Sequence, residues 1–413
     1  MTKRLLLLCE FSTLNGGEQS MLSTLPAVQA AGFRPTVACP ADGPLAETLA
    51  ERGIETAPFS CFDGNGIRKP LAELREELAS LVIRVSPDLL HANSLSMGRL
   101  SGPVATELGV ASIAHLRDII RLGPQVIKDL NCHRRLLAVS AATRDYHVAQ
   151  GLDAGKTFVL FNGVDLDRFR PREPAGFLHE ELGILRQGAT AGLPSSAENS
   201  QRSYTAGQAS SGTLNAQNAP VPFFPALIAA IGQLGLRKGQ EIFVQAAEMI
   251  AKQWPDTHFL LIGERCSGKG ESREFEAALH DAANGPLAGR LHFLGFRGQM
   301  ELLLNELTIL VHPSRQEPLG RVLLEAAAAG APIIATNVGG TAEIFPPNSE
   351  AAILVPPNDP AAIAAAMEEL LQDAEKRGQL RQAARRRAEQ AFDLQTAVEN
   401  LLSHYSAMVG LHA

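Results

Sequence analysis

The sequence predicts an α/β protein built from two doubly wound parallel-sheet domains that face a central cleft. Three observations carry that prediction. Short apolar runs alternate with amphipathic helical stretches along nearly the whole chain. The 413 residues fit two domains of roughly 100–200 residues each. A stretch from about 186 to 222, rich in Ser, Ala, Gln, Asn, Gly and Thr, splits the alternation into two halves.

In the first half, Leu5–Cys9 reads as a buried strand, and after the Gly16-Gly17 loop Glu18–Ala31 has helical spacing. Thr36–Ala38 is a strand and Pro44–Arg52 a helix. Ala72–Val85 is a helix leading through Pro87-Asp88 into the strand Leu89–Ala92. Ala111–Ala114, Leu136–Val139 and Thr157–Leu160 complete the strands. The stretch 186–222 has too few large apolar side chains to offset the entropy of ordering, so a flexible insert is expected there.

The second half repeats the scheme. Its strands are Ala226–Ile231, His258–Ile262, His292–Phe293, Ile309–His312, Pro332–Ala335 and Ala352–Val355. Its helices are Gln240–Lys252, Arg273–Ala283, Met300–Glu306, Arg321–Ala329, and the terminal pair Ala361–Ala391 and Thr396–Val409. Both halves are Rossmann-like, and ligands of such sheets bind beyond the carboxyl ends of the strands.

Composition excludes several function classes. A net charge of −7 with only 5% aromatic residues disfavours a nucleic-acid partner. The five cysteines (Cys9, Cys39, Cys61, Cys132 and Cys266) form no C-x-x-C pair, which suits reduced thiols in the cytoplasm. Leu5–Leu8 ends at Cys9-Glu10, short for a signal-peptide core, and no run of about 18 apolar residues suggests a membrane span.

The segment Gln316-Glu317-Pro318-Leu319-Gly320-Arg321 follows a strand and opens an Ala-rich helix that ends at Gly330. A helix starting near Leu319 or Gly320 presents free N–H groups and a positive dipole end to an anion. Gly320 lets a phosphate approach the backbone. Glu317 is placed to accept from sugar hydroxyls and Glu325, about two turns on, from ribose hydroxyls. The plain alternative is a capping loop with a solvent-facing Glu, yet an Ala-rich helix has no need of Glu on its packed face. A second loop, Ile231 to Gly239, carries the adjacent cations Arg237 and Lys238. Leu14-Asn15-Gly16-Gly17-Glu18 offers a glycine turn after the first strand, and His115 lies just past another.

The run from Glu317 to Thr336 resembles the Glu-x7-Glu motif of the retaining glycosyltransferases of family 4, which have the GT-B fold. Gly339-Gly340-Thr341-Ala342-Glu343 resembles that family's Gly-Gly-x-x-Glu stretch. Leu319 stands where the family usually has Phe, which leaves a backbone role intact. The resemblance covers most of the chain except the insert. It implies that Lys238 meets the donor diphosphate, while Gln233 occupies the usual Arg position, so one charge is missing and the neighbouring Arg237 is the candidate to replace it. It places Gly17, with Gly16, over the donor phosphates and His115 near the reacting face of the sugar. Asn162 would face the cleft, and the base would meet backbone groups near Phe296 and Arg297. The expected catalytic residues are therefore Glu317, Lys238 and His115. The expected donor-binding residues are Gly17, Gln233, Phe296, Arg297, Leu319, Gly320, Arg321 and Glu325, with Gly16, Asn162 and Arg237 as further candidates.

The implied activity is retaining transfer of a sugar from a nucleotide diphosphate donor, expected to be a UDP-sugar, with no cofactor and no metal. The acceptor would be a glycan, a lipid-linked saccharide or a small molecule, as in polysaccharide biosynthesis. Residues 1–171 would bind acceptor, 172–222 form the junction, and 223–392 bind the nucleotide sugar. Residues 393–413 would form a helix crossing back to the N-terminal domain. Arg117, Arg121, Lys128, Arg134, Arg135 and Arg144, near Ile119-Ile120 and Leu122, suggest peripheral contact with an anionic membrane at its inner face. The alternatives are a sugar-nucleotide epimerase or phosphorylase of the same fold, or a catalytically weak nucleotide-sugar-binding protein. Gly263 to Gly270 nearly spells a phosphate-binding P-loop, but Gly270 stands where Ser or Thr must hold the metal. Asp165-Leu166-Asp167 imitates a metal-binding D-x-D and is expected to be incidental.

Overall fold

The computed structural model describes residues 2–184, 224–265 and 267–410, so the expected insert at 186–222 lies outside the described residues. The first sheet contains β1 (Lys3–Leu8), β2 (Phe33–Cys39), β3 (Glu55–Pro58), β4 (Leu89–Ala92), β5 (Ala111–Leu116), β6 (Arg135–Ala138) and β7 (Thr157–Val159), in the order β3-β2-β1-β4-β5-β6-β7. Its helices are α1 (Gly16–Ala30), α2 (Pro44–Glu51), α3 (Leu71–Val85), α4 (Leu95–Glu107), α5 (Pro124–Leu130) and α6 (Ala141–Val148), with α7 (Phe177–Glu181) beyond the last strand. The second sheet contains β8 (Ala226–Ile231), β9 (Thr257–Ile262), β10 (Leu291–Phe293), β11 (Ile309–His312), β12 (Ile333–Thr336) and β13 (Ile353–Val355), in the order β10-β9-β8-β11-β12-β13. Helices α8 (Gln240–Ile250), α9 (Gly270–Ala282), α10 (Met300–Glu306), α11 (Arg321–Ala329), α12 (Thr341–Ile344), α13 (Pro360–Gln372) and α14 (Ala374–Ala391) accompany it, and α15 (Leu394–Val409) follows.

The strand pairings within both sheets are parallel. That explains the near-continuous apolar runs: a strand covered by helices on both faces buries every side chain, as Leu5 to Leu8 do at 0–2% exposure. Strand order reverses between β1 and β4 and again between β8 and β11. A crevice therefore opens at the carboxyl end of each sheet, flanked by the loops that leave those strands.

The structure adds β3, α4, α5, α6, α7 and α12 to the expected elements and divides one expected helix in two. Helix α4 contains Gly98, Gly102 and Pro103, residues that disfavour a helix interior. A Cβ on Gly102 would lie 2.1 Å from the Asp129 carbonyl oxygen, so the glycine lets α4 seat directly on α5. Tertiary packing overrides propensity there. The expected single helix over 361–391 is broken at Asp373, whose side chain caps α14 by accepting from the Lys376 N–H at 2.8 Å.

Helix α15 packs on α1, with Leu401 and Tyr405 buried in the N-terminal core. The chain crosses beside Gly163. There Val164 N–H donates to the Phe392 carbonyl at 2.8 Å, and Leu394 N–H to the Val164 carbonyl at 3.0 Å. A Cβ on Gly163 would meet Leu394 Cα at 2.5 Å. Gly163→Ala is thus expected to destabilise the protein by about 2 kcal/mol through overpacking. Gly378→Ala, mid-helix in α14 with nothing within 4 Å, is expected to stabilise it by about 1 kcal/mol. Thermal melts of the two variants should move in opposite directions.

Candidate active site

The loops leaving β8 and β11 flank the C-terminal crevice. Gly239 closes the first against the second, since a Cβ there would lie 2.3 Å from the Pro313 carbonyl oxygen. This brings Lys238 Nζ to 2.5 Å from Glu317 Oε2, and His312 Nε2 meets the same oxygen at 2.7 Å. Glu317 is 5% exposed. Burial alone would push its carboxyl up, but the Lys238 charge and the His312 hydrogen bond outweigh it and hold Glu317 well below the usual carboxylate range. Glu317 is therefore anionic and already engaged before any sugar arrives.

Helix α11 spans Arg321–Ala329, the range its spacing predicts, and its cap lies at Gly320. Gly320 is its N-cap at φ 97, a left-handed conformation that favours glycine, and no side chain caps the helix. Arg321 Nε donates to Glu325 Oε1 at 2.6 Å, while Arg321 Nη1 is buried without a partner among the described residues. Leu319 is 2% exposed and spends its side chain on the core, which leaves its backbone for the crevice. Gln233 and Arg237 are both exposed on the loop after β8. The Gln233 carbonyl accepts from Gln240 Nε2 at 2.9 Å, which braces the loop. Phe296 is 64% exposed, and its N–H donates to Glu264 Oε1 at 3.2 Å. The Arg297 side chain turns to an ion pair with Glu181 and a bond to the Leu294 carbonyl, so only its backbone remains for a base.

On the N-terminal side the structure corrects one expectation. His115 does not face the cleft. It shares strand parity with Ile113 and lies 4% exposed beneath α1 and α15, its Nδ1 3.0 Å from His91 Nε2. His91 Nδ1 in turn lies 2.6 Å from the Tyr405 hydroxyl. The group that emerges at the rim is Arg117, which sequence reasoning had placed in a surface basic cluster. Its Nε and Nη2 donate to the carbonyl and side-chain oxygens of Asn93 at 3.0 and 2.9 Å, and Nη1 donates to Asn162 Oδ1 at 3.0 Å. Gly17 packs on it, since a Cβ there would lie 3.2 Å from Arg117 Cδ, and Gly16 beside it is exposed. Strand parity puts Arg117 on the same side as Ile113 and His115, whereas nothing in the sequence marks Asn93 as its partner. A cavity of about 30 Å³ beneath them is lined by His91, His115, Arg117, Asn162 and Tyr405.

The basic cluster also loses its apolar component, because Ile119 and Leu122 are each 8% exposed; only Ile120 projects. Asp165 Oδ1 accepts from the Asp167 and Arg168 N–H groups, so the D-x-D is a turn. Among the described residues no three His, Cys, Asp or Glu side chains are grouped to hold a metal ion, and no helix is long and apolar enough to cross a membrane. A larger cavity of about 310 Å³, lined by His179, Phe224, Glu306 and Arg381, lies at the opposite, amino-terminal ends of β8 and β11.

The carboxyl-end loops of the two sheets touch. Ile119 packs on Gly339, and Thr143 Oγ1 donates to the Pro318 carbonyl at 3.4 Å. Glu343 accepts from the Ala141 and Ala142 N–H groups at 2.7 Å each, capping α6 from the other half of the molecule.

Two outcomes follow from these charges. Lys238→Met should cost about 3 kcal/mol, because it strands a buried carboxylate, and adding Glu317→Gln should restore most of that loss in a denaturation-based double-mutant cycle. Burial holds His91 down to about 3 and His133 to about 4, against an ordinary value near 6.5. These histidines are neutral in the fold and take up protons on unfolding, so their contribution is complete above pH ~6.5 and is lost as pH falls toward 4. Scanning fluorimetry should show the melting temperature falling steadily across that window; a flat profile would contradict neutral burial.

Two family models match the chain: "Glycosyltransferase Family 4" over residues 14–168 and "Glycosyl transferases group 1" over residues 220–387. The chain is 33% identical over 182 residues to spore coat protein SA of Bacillus subtilis, covering 43% of this chain and 48% of that protein. It is 30% identical over 188 residues to a D-inositol 3-phosphate glycosyltransferase of Corynebacterium diphtheriae, covering 45% and 43% of the two. The chain thus spans about half the length of the curated relatives it matches. Among solved structures, Anabaena HepE in complex with UDP and glucose superposes with a TM-score of 0.78 at 20% identity, covering 98% of this chain and 100% of that one. With both halves of the chain matched and the two-sheet architecture shared, the protein belongs to the family 4 glycosyltransferases of GT-B fold.

Proposed function

We propose that the protein transfers a sugar, with retention of anomeric configuration, from a nucleotide diphosphate donor to an acceptor hydroxyl. The single observation that carries this reading is the start of α11. An uncapped helix terminus, the left-handed Gly320 and the unpartnered Arg321 Nη1 converge at the switch point between β8 and β11, beside Lys238. That arrangement suits a diphosphate. Glu325 keeps one oxygen beyond its bond to Arg321, which suits a ribose hydroxyl. UDP is the first choice of nucleotide, since HepE of the same fold was solved with UDP and with UDP-glucose.

In this reading the leaving diphosphate takes the proton of the attacking hydroxyl on the same face, so no protein base is required. The chain contributes position and charge. Lys238 and the α11 terminus neutralise the leaving group, and Glu317, fixed as an anion by Lys238 and His312, orients sugar hydroxyls. The acceptor is a glycan, a lipid-linked saccharide or a small molecule.

A thermal-shift panel of UDP-, GDP- and ADP-sugars tests the donor. One of them should stabilise the protein, by about 2.7 kcal/mol at a hundred times its Kd. Glu325→Ala should weaken that donor at least roughly tenfold through loss of charge-assisted bonds; unchanged binding and turnover would refute the assignment. Product NMR should show the retained anomer, whereas an isomerised donor formed without acceptor would make the protein an epimerase.

A further inference from the structure

Arg117 is a half-buried cation with no ion pair among the described residues. Four of its five N–H groups are spent, and every acceptor is neutral: the Asn93 carbonyl, Asn93 Oδ1, Asn162 Oδ1 and His115 Nδ1. Buried charges are ordinarily paired, because desolvation is costly. Burial lowers the Arg117 guanidinium to about 10, with Arg321 across the cleft lowering it further while Glu18 and Asp118 oppose. It remains charged at neutral pH. Ile119, two residues beyond Arg117, packs on Gly339 beside the Glu317 backbone, so Arg117 stands at the seam where the loop before α11 meets the N-terminal half, and Arg321 Nη1 at the start of α11 has no partner among the described residues.

The groups beneath Arg117 admit one proton arrangement. Arg117 Nη2 donates to His115 Nδ1 at 3.3 Å, so that nitrogen is an acceptor and the His115 proton sits on Nε2. His91 must then donate from Nε2, and its Nδ1 must accept from the Tyr405 hydroxyl. In that arrangement the single Nδ1 lone pair of His115 is shared between His91 Nε2–H and Arg117 Nη2–H, and the His115 Nε2–H is buried without a partner among the described residues. The far end of the chain Tyr405–His91–His115 stands on α15, the helix that follows the C-terminal domain.

We propose that Arg117 is a substrate-binding residue that takes the diphosphate of the nucleotide donor from the N-terminal side of the cleft, and that His115, His91 and Tyr405 are positioning residues that fix its guanidinium. The inference rests on the donor reading above. A diphosphate carries enough charge to satisfy Arg117 and Arg321 at once, which a sugar hydroxyl does not. Arg117 thereby supplies a cation from the opposite half to a crevice where Gln233 is uncharged.

The test uses the full chain with the diphosphate and the nucleoside of the base selected by the thermal-shift panel, UDP and uridine in the first instance. Calorimetry measures UDP and saturation-transfer NMR measures uridine. Arg117→Gln should weaken UDP roughly 10- to 100-fold, as for a lost charge-assisted bond, and leave uridine unchanged. Arg117→Lys should restore part of the loss. Tyr405→Phe, which removes the first donor of the chain, should weaken UDP several-fold and leave uridine unchanged. Equal UDP affinity in wild type and Arg117→Gln overturns the proposal and leaves the donor reading standing. Parallel loss of UDP and uridine also overturns it, because that is the mark of structural damage. If no nucleotide of the panel binds the wild type, the donor reading fails first and this assignment falls with it.

Discussion

Glu317 is the hinge of the C-terminal half in the energetic sense. A carboxylate buried this deeply would take up a proton if left alone, and Lys238 and His312 keep it ionised. Holding that charge ties the loop after β8 to the loop after β11. The Glu317 backbone extends the tie, since its carbonyl accepts from Gly340 N–H at 2.9 Å and brings in the loop after β12. Three loops from three strands are thus fixed around the uncapped start of α11. The crevice is rigid because its internal charges are satisfied locally, while the helix terminus and Arg321 Nη1 are left for a ligand.

The N-terminal half solves the same problem in the opposite manner. The groups that accept from Arg117 at its rim are neutral, and Arg117 has no ion pair among the described residues. Burial keeps His91 and His115 uncharged, which suits their place beneath α1 and α15. The two sides are therefore complementary: one holds a closed ion pair beside open N–H donors, the other an open cation on a neutral support. An anion placed between them, as in the proposed donor reading, would join the halves.

Much of this was legible in the sequence, for definite reasons. A run such as Leu5–Leu8 can only be a strand covered on both faces, and the segment from Glu317 to Gly330 states its loop, its glycine cap and its helix outright. Helix α4 was hidden because Gly98 and Gly102 are chosen for contact with α5, and such a requirement has no local signature. His115 was placed in the cleft by its position after a strand, but β5 runs on to Leu116, so its side chain is committed to the sheet face. The reach of Arg117 to Asn93 and Asn162 joins three distant segments, and no spacing rule links them. The turn of Arg297 toward Glu181 was equally invisible, being decided by where α7 comes to rest.

The cap on α6 has a consequence for anyone who would recombine such proteins. The first two N–H groups of that helix are satisfied by Glu343, which belongs to the other sheet's domain. A chimera that keeps the N-terminal half and imports a foreign C-terminal half leaves those two N–H groups open, with only the Thr143 N–H still capped by Ser140, unless the import carries a carboxylate in the same register. The seam for modular engineering therefore lies in a matched pair of surfaces, and a cut chosen only by where the backbone is loose would separate a lock from its key.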